Sequence, residues 1–113
     1  MHKHVNHWVG EGQIKKKSTL RTTSNDYKVT NFLLKITTSY KIEDLENNNS
    51  KHKQNTVFVP IVAWSDLAEL VVRKYNENDT VRVVGRLKNS SKTSNKPGWE
   101  IVLEDISMIQ SAT

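Results

Sequence analysis

The residues of this chain best suited to chemistry are cationic. Lys15, Lys16 and Lys17 stand in a row, and Arg82, Arg86, Lys88, Lys92 and Lys96 fall between Thr80 and Trp99 with no acidic residue among them. From Met1 to Ile42 there are eight basic residues and two acidic ones, a net charge of +6, whereas Glu43 to Thr113 carry nine and ten, a net of −1. Two local excesses in a chain of formal charge +5 suit a polyanion such as nucleic acid.

Other reactive groupings are thin. His2, His4 and His7 cluster near the amino terminus and His52 lies far along the chain, which reads as an exposed terminus rather than a metal site. Asp44 with Glu46, and Glu104 with Asp105, are carboxylate pairs that read as surface charge. Gly10 and Gly12 lack the third glycine of a phosphate-binding loop, and no nucleophile stands in a pattern with a base. The absence of cysteine excludes a disulfide framework and a thiolate metal site. The expectation is a binding protein with no catalytic residue, metal or cofactor.

The elements that must position the cations are mostly strands. Val5–Gln13 reads as a strand bent at its glycines. Tyr27–Tyr40 alternates cleanly, with Phe32, Leu34 and Ile36 on one face and Leu33, Lys35 and Thr37 on the other. The polar stretch 41–55 is expected to be a long flexible loop. Thr56–Trp64 is a strand apolar on both faces, with Pro60 marking an edge or bulge. Ser65 is the expected N-cap of a short helix carrying Leu67, Leu70 and Val71. Thr80–Lys88 should direct Val81, Val83 and Leu87 inward, Gly85 allowing a bend. A polar loop over 89–98 precedes a last strand, Trp99–Ile109. The expected fold is all-β: a five-stranded OB-type Greek-key barrel with one short helix between its third and fourth strands, one domain over 1–113 with the barrel at about 5–109.

Three segments resemble the bacterial single-stranded DNA-binding protein family. They are Lys28-Val-Thr-Asn-Phe32, Val62-Ala-Trp-Ser-Asp-Leu-Ala-Glu69 and Tyr75-Asn-Glu-Asn-Asp-Thr-Val-Arg-Val-Val-Gly-Arg-Leu87, with Leu103-Glu-Asp-Ile106 fitting the last strand. The resemblance implies single-stranded DNA as partner, bound without strong sequence preference by stacking bases on rings. It places those rings at Phe58, Tyr40, Trp99 and Trp64, in that order of expectation. Lys15, Lys16, Lys17, Arg21, Lys35, Arg82, Arg86 and Lys88 are the candidate phosphate contacts beside them.

The resemblance also implies a homo-oligomer, tetramer or dimer, working in DNA replication, recombination or repair. The chain stops at Gln110-Ser-Ala-Thr113 without the family's acidic tail. That departure keeps open a likeness to the primosomal protein PriB, which acts chiefly through replication or primosome proteins. With no signal-peptide pattern and no apolar run near ~20 residues, the expected location is cytoplasmic and nucleoid-associated, away from membranes.

Overall fold

A computed structural model of the chain describes residues 3–44, 49–90 and 98–113. Strands β1 (Trp8–Lys15), β2 (Arg21–Thr22), β3 (Lys28–Asp44) and β4 (Asn49–Trp64) precede one helix, α1 (Ser65–Lys74); β5 (Thr80–Asn89) and β6 (Trp99–Gln110) follow it. The five long strands and the helix come in the expected order, and β2 is a two-residue addition paired with the start of β3. Among the described residues no helix is long and apolar enough to cross a membrane.

The sheet closes on itself. β3 pairs with β4, β4 runs parallel to β6 at Ile61 and Val62, β6 pairs with β5, β5 with β1, and β1 with β3. Closure depends on β1 changing partner at Gln13, which lies opposite both Thr80 and Lys35. Gly12 sits at that corner: a Cβ there would meet the Lys35 carbonyl oxygen at 2.3 Å, so only glycine lets β1 cross from β5 to β3. Gly85 marks a second bend, where the register slips after Val84 and a Cβ would meet the Val102 carbonyl oxygen at 2.2 Å.

Alternation then fills the barrel. Phe32 and Leu34 of β3, Ile61 and Ala63 of β4, and Val81 and Val83 of β5 are all buried inside it. Helix α1 plugs one end with Ala68 and Val71, while the Tyr75 hydroxyl donates to the Ile106 carbonyl at 3.3 Å. A closed five-stranded barrel with its helix between the third and fourth long strands is the OB fold. Pro60 lies where β4 has β3 on one side and has not yet met β6, so its missing N–H leaves no gap in a central ladder.

Two expectations are corrected and a third is refined. The long loop over 41–55 is largely strand: the β3–β4 register runs unbroken from Val29 opposite Trp64 to Asp44 opposite Asn49, and only 45–48 lie outside the described residues. Past the barrel wall the described side chains of this ribbon, at 38–41 and 52–55, are exposed, so the sequence here carries none of the hydrophobic periodicity by which strands are read, while the partner strand still satisfies the backbone. The arm lengthens the molecule. Its radius of gyration is 17.2 Å, against about 13 Å for a compact chain of this length.

Ser65 is not the N-cap. That position belongs to Trp64, with no side-chain capping bond, and Ser65 itself has φ 57° in the left-handed region. The strand runs directly into the helix, and the sharp corner is taken up in the backbone of Ser65 instead of by a capping hydroxyl. Leu87 keeps the expected inward parity, opposite the buried Ile101, yet it is half exposed, because β1 ends at Trp8 opposite Gly85 and β5 continues past the barrel's mouth.

Candidate nucleic-acid interface

Register decides which rings can act together. Because Phe32 and Leu34 point into the barrel, odd-numbered residues of β3 and, through the pairing, even-numbered residues of β4 point outward. Phe58 therefore stands on the outer wall, 54% exposed, directly opposite Lys35. Trp64 lies on the same face six residues along β4, a separation of about 20 Å at strand rise. It is half-buried against Val29, Val62 and Val102, and the Lys88 ammonium sits 5.9 Å from its ring centre. Arg86, opposite Val102, shares that face.

The other two rings are placed elsewhere. Tyr40 lies on the opposite face of the β3–β4 ribbon, 50% exposed and opposite Lys53. Trp99 opens β6 opposite Asn89, with the inward parity of Ile101, yet it is 52% exposed because it stands at the end of the barrel away from α1. The four rings thus divide between an outer wall, Phe58 and Trp64, and an open mouth with its arm, Trp99 and Tyr40.

The cations divide too. Arg82 pairs with Glu11 at 3.8 Å and Arg86 with Glu104 at 3.4 Å, both on the surface. Such pairs are worth little in water, so either arginine can exchange its carboxylate for a phosphate. Lys35 is partly buried in the outer wall and Lys16 is exposed at a turn with φ 51°. Arg21 donates to the Asn31 side-chain oxygen, and Lys15 to that of Asn78. Lys17 is engaged inside the fold: its ammonium donates to the Tyr75 and Val72 carbonyls at 2.5 and 3.4 Å, holding the end of α1. Lys92 and Lys96 lie outside the described residues.

Sequence reasoning passed over Lys41 and Lys53, both exposed on the arm, because their segment looked like loop. It also passed over a shallow depression on the outer wall lined by Glu11, Gly12, Gln13, Lys35, Thr37 and Thr80. No sequence signal joins those residues; only the pairing of three strands does. Of the carboxylates weighed for catalysis, Glu104 holds Arg86, Asp105 is exposed, and Glu46 lies outside the described residues. Among the described residues no three histidine or acidic side chains are grouped as a metal site would need.

Fold and surface together define an OB-barrel protein whose rings and cations are displayed on strands. A profile of the single-strand binding protein family matches residues 5–109, and the chain belongs to that family. It is 27% identical over 103 residues to the single-stranded DNA-binding protein of Caldanaerobacter subterraneus subsp. tengcongensis, spanning 88% of this chain and 64% of that one. Similar solved structures include the Plasmodium falciparum SSB in complex with ssDNA, at TM-score 0.74 and 22% identity, covering 97% of this chain and 99% of that one. PriB from Ralstonia solanacearum is similar at TM-score 0.64 and 14% identity, covering 95% and 100%. Both likenesses are of fold.

Proposed function

We propose that this protein binds single-stranded DNA without strong sequence preference. Bases stack on Phe58, Tyr40, Trp99 and Trp64, and phosphates are met by Lys35, Arg82, Arg86 and Lys88, with Lys15, Lys16 and Arg21 at the periphery. Lys17 serves the fold. The observation that carries this reading is the alignment of Phe58 and Trp64 on one outward face of β4, each with a lysine beside its ring. Every base has a π-face, so such a row accepts any sequence, each stacked base contributing about 1–3 kcal/mol. Family membership and the name of the Caldanaerobacter relative support the same ligand. The setting is DNA replication, recombination or repair in the cytoplasm, with no catalytic step.

Self-association belongs to the proposal. Over Trp8–Gly12, β1 is paired on one side by β5 while β3 takes it up only from Gln13, and Val9 on this strand is exposed. An edge of that kind suits pairing with a second copy, as a dimer or a step toward a tetramer.

Titration with oligo-dT, read by tryptophan fluorescence, tests the reading. Quenching is expected, with affinity falling as salt rises at a log–log slope of about −0.7 per phosphate neutralised. Undetectable binding at low salt would overturn it. If Phe58→Ala and Tyr40→Ala both keep full DNA affinity but lose a replication-protein partner, a PriB-like assembly role takes its place. Cleavage of DNA on adding a divalent metal would refute the non-catalytic assignment.

A further inference from the structure

The outer wall holds a row that sequence spacing does not reveal: Thr80 on β5, Gln13 on β1, Lys35 on β3 and Phe58 on β4 are successive cross-strand partners, so their side chains share one face. Between the first three of them lies the depression of about 290 Å³, which Glu11 and Thr37 also line. Neighbouring strands are about 4.8 Å apart, so the depression begins one strand from the Phe58 ring and lies within about 10 Å of it. A strand stacked on Phe58 would bring its next base there.

The lining is chemically uneven. Glu11 offers two acceptor oxygens, Lys35 an ammonium, and Gln13 an amide that both donates and accepts. A carboxylate in the depression disfavours a phosphate and favours a base edge carrying donors. Guanine alone presents two adjacent donors, N1–H and the N2 amino group, on its Watson–Crick edge, and its O6 is an acceptor for a lysine. The Glu11–Arg82 contact, at 3.8 Å between exposed side chains, is weak enough to yield its carboxylate.

We infer that this depression is a nucleobase subsite that favours guanine, Glu11 accepting from N1–H and N2 and Lys35 donating to O6, beside a base stacked on Phe58. The inference rests on the single-strand reading above and adds to it a residue-encoded preference. Glu11 is the specificity-determining residue, and the ligand class is a guanine base within single-stranded DNA.

The test compares three labelled oligonucleotides by fluorescence anisotropy: oligo-dT, the same strand with one central guanine, and the same strand with hypoxanthine, which lacks the N2 amino group. The wild-type protein should bind the guanine strand about fivefold more tightly than oligo-dT, with hypoxanthine between them. Glu11→Gln should bring the three affinities together without weakening oligo-dT binding, because loss of the carboxylate only frees Arg82 for phosphate. Lys35→Met, which also removes a proposed phosphate contact, should weaken binding of all three strands and narrow the guanine preference, the guanine strand losing most. Equal wild-type affinities for all three strands, or a guanine preference unchanged in Glu11→Gln, would overturn the subsite and leave the single-strand reading standing. A wild-type protein that binds none of the three overturns both.

Discussion

Single side chains separate binding from folding. Phe58 is exposed on the outer wall and contributes nothing to the interior, so Phe58→Ala should weaken oligo-dT binding about fivefold or more, the equivalent of about 1–3 kcal/mol, with an unchanged melting temperature. Lys17 should behave in the opposite way. Its ammonium bonds two carbonyls at the end of α1, and hydrogen bonds to a charged group contribute about 1.5–3 kcal/mol. Lys17→Ala should therefore lower the urea midpoint while the folded fraction keeps its DNA affinity. In sequence the two kinds of residue look alike. Lys15, Lys16 and Lys17 form one run, yet one meets Asn78, one meets solvent and one closes a helix, because the chain turns at Lys16 with positive φ.

Elements decide how ends are held. Asp79, buried in the turn after α1, accepts from the backbone N–H of Ala112 and of Asn76, both at 2.9 Å, and these bonds, aided by Lys17, hold its carboxyl below the usual range. The stability this provides is present above the unfolded value of about 3.9 and is lost as pH falls through the lower folded value. Urea melts of wild type and Asp79→Asn should differ at pH 7 and converge toward the acid end of that window. A constant difference across pH would refute the latch. At the other corner, Gly12→Ala should abolish or severely weaken folding, since the Lys35 backbone occupies the space its methyl would need. Heteronuclear NMR of the variant would report loss of β1–β3 contacts first.

At the scale of the molecule, the barrel wall and the β3–β4 arm are different instruments. The arm carries Lys41 and Lys53 beside Tyr40, clear of the core. Replacing both lysines with alanine should make the salt dependence shallower by about 1.4 in log–log slope without changing stability. The barrel, its helix and the strand order were legible in the sequence because a buried face imposes a period of two and a helix a period of 3.6, and chains cannot hide either. The candidate rings came from another source, the likeness of short segments to a family, and the candidate cations from two local excesses of basic charge. What the sequence alone could not carry was pairing. It cannot say that Tyr40 and Phe58 lie on opposite faces, that a polar arm is strand, or that Glu11, Gln13, Lys35 and Thr80 meet around one depression. Those facts belong to cross-strand register, set by where β1 crosses at Gly12 and by contacts between residues far apart in the chain. Local composition fixes which face of a strand is buried; only the closed barrel decides what stands beside it.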